Sequence, residues 1–244
     1  MNQKGGVGKT TTAVNLSSCL AAAEHKTCLI DMDPQANSTS GIGIERDIEP
    51  SVYDVLIGNK SIHETIQSTE LGYLNIVPSS ISLVGAEIEL VNMMSRESRL
   101  KSALTQINDD YEYIIIDCPP SLGILTINTL TASNSIIIPI QCEYYALEGL
   151  SQLVNTINLV KENLNPSLKI EGVLLTMYDG RLNLSRQVSD EVRKYFNEKV
   201  YETVISRNVR LSEAPSFGKP IILYDILSTG AENYMSLTKE VLAQ

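Results

Sequence analysis

Short apolar segments rich in β-branched residues alternate with segments of helical length along most of the chain. These apolar segments are continuous rather than alternating with polar residues, which is typical of strands in a parallel sheet covered on both faces. The predicted strands are TCLIDMD (27–33), LNIVPS (74–79), YIIIDCPP (113–120), SIIIPIQ (135–141), IEGVLLTMYD (170–179) and PIILYD (220–225). The predicted helices are 9–23, 96–108, 122–132, 146–163, 182–197 and 230–243. We expect a doubly wound α/β fold with a mostly parallel sheet and helices on both faces.

The length of 244 residues suits one large α/β domain. No repeat or flexible linker divides the chain, so we expect a single domain over residues 1–244. No apolar run approaches the roughly 18 residues that cross a bilayer, and the N-terminus lacks the apolar core of a signal peptide. Four widely spaced cysteines, none in a CxxC pair, are typical of reduced, mostly buried thiols: Cys19, Cys28, Cys118 and Cys142. These features predict a cytoplasmic protein.

The stretch KGGVGKTT, residues 4–11, combines glycines with lysines and threonines. Glycines let the backbone approach a ligand closely, so that successive N–H groups can surround a phosphate at the start of a helix. We expect Lys9 to reach the β- and γ-phosphates of a nucleotide, Thr10 to bind Mg²⁺ and Thr11 to contact the α-phosphate. The predicted nucleotide-binding residues of this loop are Lys4, Gly5, Gly6, Val7, Gly8, Lys9, Thr10 and Thr11. The alternative is a flexible glycine-rich tail.

The loop departs from the usual pattern G-x-x-x-x-G-K-[ST], because Gln3 stands at the first glycine position and Lys4 is an additional lysine. This variant resembles the deviant Walker A loop of bacterial partition ATPases of the ParA/Soj type. The resemblance extends over nearly the whole chain, through LIDMDPQANSTS, IIIDCPPSLG, PIQCEYYALEGL, GVLLTMYDGR and RNVRLSEAPSFGKPIILYD.

The resemblance implies an ATPase that uses ATP and Mg²⁺ and forms a homodimer around two ATP molecules. Lys4 would act across the interface on the partner's nucleotide as a catalytic cation. The family also implies ATP-dependent binding of non-specific double-stranded DNA, hence association with the nucleoid. A ParB-type centromere-binding protein would stimulate hydrolysis through its N-terminal peptide. Chromosomal cargo is our expectation.

Three carboxylates lie at predicted strand ends. Asp31 and Asp33 are two residues apart and so point the same way, and Asp117 ends the YIIID segment. Ligands bind at this edge of a parallel sheet, and Asp117 fits the acidic residue that holds Mg²⁺. The resemblance implies that Asp33 positions the attacking water and that Asp31 supports the metal. The predicted catalytic residues are thus Lys4, Lys9 and Asp33, and the predicted metal residues are Thr10, Asp31 and Asp117. The alternative is that each carboxylate caps the next helix.

The loop CPPSLG, residues 118–123, is predicted to be a switch that senses the γ-phosphate. Farther along, the family's adenine-binding segment reads Ser206-Arg207-Asn208, with serine in place of the family's proline. The resemblance implies Asn208 as an adenine contact, and we include Arg210 among the nucleotide-binding residues. Tyr144, Tyr145 and Glu148 are expected to pack beside the dimer interface.

The net charge of −10 argues against a nucleic-acid partner. However, residues 180–219 carry eight basic and five acidic groups. Basic side chains without a base-reading motif suit sequence-independent phosphate contacts. The predicted DNA-binding residues are Arg181, Arg186, Lys194 and Arg210. The alternative is a solvated helix face with structural ion pairs.

A P-loop normally follows a buried strand, yet Lys4 is preceded by three residues. We therefore expect a missing first strand beside the Asp117 strand, with reduced stability and nucleotide binding, and hypothesise that Met1 is not the native start or that the chain is truncated. Three other functions stay open at this point. The first is a membrane-associated division-site ATPase, which the single lysine of the C-terminal segment disfavours. The second is an iron–sulfur carrier, which the cysteine spacing disfavours. The third is a purely regulatory nucleotide switch that acts on replication initiation.

Overall fold

The computed structural model describes residues 6–143 and 148–244, which form an α/β arrangement. The helices are α1 (Lys9–Ala22), α2 (Asn37–Gly41), α3 (Val52–Ile57), α4 (Ile62–Thr65), α5 (Leu83–Glu89), α6 (Arg99–Leu104), α7 (Ile124–Ala132), α8 (Glu148–Asn163), α9 (Asn183–Phe196), α10 (Val209–Glu213), α11 (Ile221–Tyr224) and α12 (Thr229–Leu242). The strands are β1 (Thr27–Asp31), β2 (Gln67–Ser68), β3 (Leu74–Val77), β4 (Tyr113–Asp117), β5 (Ser135–Gln141), β6 (Lys169–Tyr178) and β7 (Ile205–Ser206). Single 3₁₀ turns span Leu90–Asn92, Arg96–Ser98, Asn197–Lys199 and Ala214–Phe217.

The strands form two sheets, in the orders β2-β3-β1-β4 and β5-β6-β7. All pairs are parallel except β2 with β3. Every residue of β1 is buried, as expected for a strand covered on both faces. The prediction of a mostly parallel α/β fold is therefore confirmed. The register of β1 and β4 places Asp31 opposite Asp117, so the two strand-end carboxylates meet at one edge.

Within the described residues, β4 pairs with β1 alone and β5 with β6 alone. The two sheets are joined through side chains: Tyr113 and Ile115 of β4 and Ile137 of β5 pack against one apolar cluster. Helices α1 and α12 supply much of that cluster, including Leu16, Leu20, Tyr234 and Leu237. The expected additional strand beside β4 stays a prediction.

One predicted strand is wrong. The segment PIILYD (220–225) contains the short helix α11, although its β-branched residues favour a strand. Pro220 precedes the helix as its N-cap, with a φ of −64°, and the backbone N–H of Ile221 donates to Asn15 Oδ1 on α1 at 2.7 Å. This bond and the complete burial of Ile221 fix the turn against α1. The tertiary contact outweighs local propensity.

Candidate functional site

The glycine-rich loop leads directly into α1. Gly6 and Gly8 have φ values of 79° and 89°, a left-handed region that side chains disfavour. Val7 is buried, and its carbonyl accepts a hydrogen bond from Thr176 Oγ1 of β6 at 2.9 Å. The loop is therefore held against the C-terminal end of β6 with its backbone in a conformation that glycine allows. Lys4 and Gly5 lie outside the described residues.

Lys9 and Thr10 open α1 on the side of the acidic strand ends. Burial lowers the pKa of the Lys9 ammonium, and the nearby carboxylates of Asp117 and Asp33 oppose that effect. The Thr10 hydroxyl hydrogen-bonds to the Asp117 carboxylate. The structure thus brings the predicted lysine, threonine and strand-end carboxylate together.

Asp117 is fully buried and takes a second hydrogen bond, from Ser38 Oγ at 2.8 Å. Burial raises the pKa of this carboxyl, while the bonds from Ser38 and Thr10 lower it. A carboxylate and a hydroxyl are oxygen ligands of the kind that Mg²⁺ prefers. The donor set of Thr10 and Asp117 therefore fits the predicted metal.

Asp31 is buried beside Asp117 and accepts three hydrogen bonds. They come from the backbone N–H of Asp33 at 3.0 Å and from the N–H and hydroxyl of Thr39, each at 2.8 Å. Burial is the main cause that raises the pKa of Asp31, followed by the charge of Asp117. Asp31 therefore also organises the segment that carries Asp33. Asp33 itself is buried and accepts from the N–H of Gln35 at 2.9 Å.

Sequence reasoning missed Ser38 and Thr39, which lie in the short helix α2 and bind Asp117 and Asp31. Their signal was the run NSTS directly after DPQ, where small hydroxyl residues follow two strand-end carboxylates. Hydroxyls are common at helix starts, so the run alone does not identify the partners.

The loop after β4, residues 118–123, begins at buried Cys118, whose pKa burial raises to about 11. Gly123 caps α7, and a Cβ built on it would lie 2.8 Å from Glu87 Oε1 of α5. This predicted switch loop therefore contacts α5 as well as the carboxylate edge.

A cavity of about 350 Å³ lies beside the start of α1. Thr10 and Thr11 form one side of it, which places it next to the predicted phosphate site. Its other lining residues include Asn15, Asn37, Ser40, Arg46, Pro215 and Lys219.

Asn208, the predicted adenine contact, and Arg210, a further predicted nucleotide-binding residue, lie on the C-terminal segment. Asn208 caps α10, because its side-chain oxygen accepts from the N–H of Leu211 at 3.3 Å. Arg210 forms ion pairs with Glu213 at 3.0 Å and Asp225 at 3.3 Å. Neither residue lines the cavity.

The predicted DNA-binding arginines lie partly together near the end of β6. Arg181 has a side chain that is 90% exposed and forms a two-point ion pair with Asp179. The guanidinium of Arg186 donates to the carbonyl of Gly180, which precedes Arg181. Lys194 is exposed farther along α9. Arg181 and Arg210 are both exposed, and their charges are partly compensated by ion pairs within the chain.

The four cysteines are buried and form no disulfide, as predicted. Across residues 6–143 and 148–244, no cluster of three or more His, Cys, Asp or Glu side chains could hold a metal. In the same part of the chain, no helix has the length and apolar character needed to cross a membrane. Tyr144 and Tyr145 lie outside the described residues.

A glycine-rich loop that caps a helix, followed by a lysine and a threonine that face strand-end carboxylates, defines a P-loop protein. A family model described as an AAA domain matches residues 1–170. The sporulation initiation inhibitor protein Soj of Bacillus subtilis (strain 168) is 63% identical over 243 residues, which cover 99% of this chain and 96% of that protein. The chain belongs to the ParA/Soj family of chromosome-partitioning proteins.

Two further comparisons agree in sequence and fold. The chromosome-partitioning ATPase Soj of Treponema pallidum (strain Nichols) is 50% identical over 244 residues, which cover 100% of this chain and 96% of that protein. The solved cobyrinic acid a,c-diamide synthase of Mycobacterium smegmatis, with a bound ATP analogue and magnesium, has a TM-score of 0.87 at 37% identity. The match covers 99% of this chain and 92% of that chain.

Proposed function

We propose that this chain is an ATP-hydrolysing switch for DNA partition, in which an ATP-dependent dimer binds DNA non-specifically and hydrolysis releases it. The observation that carries the proposal is the joining of Lys9, Thr10 and Asp117 at one sheet edge behind a glycine-rich loop. A relative with 50% identity over the full chain is named a chromosome-partitioning ATPase, which supports the same activity here.

In this proposal ATP is the substrate, with its phosphates against residues 4–11. Lys9 neutralises phosphate charge, and its partly buried position strengthens that interaction because the local dielectric is low. Thr10 and Asp117 hold Mg²⁺, with Asp31 in support, and the metal's contribution is to offset charge on the phosphate oxygens. Asp33 positions the attacking water. The backbone N–H of Asp33 donates to the Asp31 carboxylate, which holds Asp33 in place.

Lys4 is proposed to act from one protomer on the nucleotide of the other. A cation supplied in this way is worth roughly 10³–10⁵ in rate in related phosphoryl transfers. ATP then forms part of the dimer interface, so dimerisation depends on the nucleotide. Asn208 and Arg210 are proposed to contact the nucleoside end of ATP.

Arg181, Arg186, Lys194 and Arg210 are proposed to bind DNA phosphates. The chain carries a net charge of −10, so a local basic edge is needed for such contacts. The exposure of Arg181 and its position beside Arg186 support this edge. Dimerisation doubles the number of cations and so links DNA affinity to ATP. A ParB-type protein is the proposed activator, and the nucleoid the proposed location.

Binding to non-specific duplex DNA, measured over a salt series with ATP, ADP or no nucleotide, tests the proposal. We expect the protein to bind DNA when ATP is present but not with ADP or without nucleotide. The affinity should fall steeply as salt is added, and Lys4→Ala and Arg210→Glu should lose DNA binding. Lys60→Glu is the control, because Lys60 is an exposed lysine paired with Glu64 on α4. Two results would refute the partition switch. One is equal DNA binding in every nucleotide state, and the other is no DNA binding even when ATP is bound.

A further inference from the structure

The turn before helix α5, the helix itself and the 3₁₀ turn after it expose a row of large apolar side chains. Ile81, Val84, Ile88 and Val91 are all exposed, Ile88 by 73%. Their spacing of three and four residues places them on one side of a helix, and we call this row the α5 stripe. Exposed contiguous apolar surface of this kind marks interaction sites.

The opposite side of the same helix is already used. Leu83, Ala86 and Leu90 are completely buried in the core that contains β1, α3 and α6. The helix is therefore anchored in the core without the side chains of the stripe.

Acidic residues flank the stripe. At 100° per residue, Glu87 lies on one side of the Val84–Ile88–Val91 row and Glu89 on the other. Residues 81–95 contain no lysine or arginine. The nearest cation in sequence, Arg96, is bound to Glu97 at 2.8 Å and to the Val91 carbonyl at 2.9 Å. The charge pattern complements a basic amphipathic helix rather than a second copy of this chain, because a twofold contact would bring the acidic flanks together.

The stripe is connected to the loop after Asp117 by two routes. Glu87 touches Gly123 at the end of that loop. Arg96, whose side chain binds the Val91 carbonyl, has its own carbonyl held by Asn128 Nδ2 of α7 at 2.7 Å. Helix α7 begins directly after the loop. A displacement of α5 would therefore act on the end of the loop through Glu87 and on α7 through Arg96.

We propose that the α5 stripe is the docking surface for a basic amphipathic helix of a protein partner, and that docking acts on residues 118–123 through Glu87 and Arg96. This rests on the proposed function in one respect, since it names the surface through which an activator would reach the switch loop. The partner is defined here by its chemistry: apolar side chains along one face, and lysine or arginine on both flanks.

The test uses the full chain and an 18-residue peptide with leucine on one helical face and lysine on the other. A scrambled peptide of the same composition and a leucine–glutamate peptide serve as controls for net charge. Binding is measured by fluorescence anisotropy for the parent, for Ile88→Lys and for Leu227→Lys, where Leu227 is a 94% exposed leucine away from the stripe. Amide hydrogen exchange of residues 118–123 is followed with and without peptide.

We expect Ile88→Lys to weaken binding of the leucine–lysine peptide about tenfold or more, and Leu227→Lys to leave it within about twofold. Both control peptides should bind about tenfold more weakly, and the bound peptide should change exchange in residues 118–123. Equal effects of the two substitutions, equal binding of the leucine–glutamate peptide, or unchanged exchange would overturn the proposal.

A peptide-free dimer that Ile88→Lys dissociates in sedimentation would also overturn the proposal, in favour of a second copy on the stripe. These readouts need no ATP turnover. Failure of ATP hydrolysis therefore counts against the proposed function alone.

Discussion

Asp31 and Asp117 lie opposite each other on adjacent parallel strands, and both carboxyls are buried. Burial raises the pKa of each, and the charge of Asp117 raises that of Asp31 further. Hydrogen bonds from Thr39 and Ser38 partly compensate. Two buried carboxyls therefore lie where the proposed Mg²⁺ would bind. Their burial and mutual repulsion lower the stability of the ligand-free protein.

This loss of stability predicts a pH dependence. A carboxyl whose folded pKa is above its unfolded value binds more protons in the folded state, so its contribution to stability falls as pH rises through the folded pKa. The free energy of unfolding of the ligand-free protein, relative to Asp31→Asn, should therefore fall from about pH 4.5 to pH 8. Each unit of pKa difference corresponds to about 1.4 kcal/mol. Urea unfolding of both proteins over this range measures the trend, and a rise with pH contradicts it.

We expect the Thr39 hydroxyl to stabilise the buried Asp31 carboxylate. The hydroxyl donates to Asp31 and accepts from the N–H of Ser79 at 3.0 Å, so Thr39→Val leaves both groups short of a partner. The free energy of unfolding should fall by about 1–3 kcal/mol. The exposed Thr105→Val is the control and should stay within about 0.5 kcal/mol. Equal stability of the two variants in denaturant titrations would show that Asp31 does not depend on this hydroxyl.

Gly8→Ala tests the conformation of the loop. At a φ of 89° an alanine costs about 1–2 kcal/mol, so the variant should be less stable and bind ATP more weakly. Gly72→Ala is the matched control, because Gly72 is exposed and a Cβ there would meet nothing within 4 Å. Urea unfolding and titration with a fluorescent ATP analogue separate the two effects. Normal ATP affinity in Gly8→Ala would argue against this loop as the phosphate site.

Asp33→Ala tests the proposed catalytic role. Loss of a group that positions the attacking water should lower kcat about 10²-fold or more, while the affinity for ATP changes little because Lys9 and Thr10 remain. Phosphate release and nucleotide titration measure the two quantities. Asp47→Ala, at an exposed carboxylate, should leave both unchanged. An unaltered kcat in Asp33→Ala would remove Asp33 from the mechanism.

Arg181→Ala is expected to weaken DNA binding and to reduce the slope of log affinity against log salt by about one for each phosphate that the arginine neutralises. Asp179→Asn should act in the opposite direction, because Asp179 holds the guanidinium in a two-point ion pair. Lys60→Ala controls for general charge. Filter binding at several salt concentrations gives the slopes, and unchanged slopes in both variants would place the DNA-binding surface elsewhere.

The sequence by itself determined the features that depend on local pattern. Continuous β-branched runs predicted β1, β3, β4, β5 and β6, because strands covered on both faces have no polar alternation. The glycines of residues 4–11 predicted the loop at the start of α1. The pattern also placed Asp31 and Asp117 at strand ends on the ligand-binding edge of the sheet, where the structure has them opposite each other.

Only the tertiary structure decided the features that arise between distant residues. Asn15 fixes Ile221 in a helix where local propensity favours a strand. Ser38 and Thr39 become partners of buried carboxylates, and Asp179 compensates the charge of Arg181. The α5 stripe is exposed because Leu83, Ala86 and Leu90, on the other side of the helix, are the residues that pack into the core. Such choices depend on which groups are brought together in space, and no local pattern of residues contains that information.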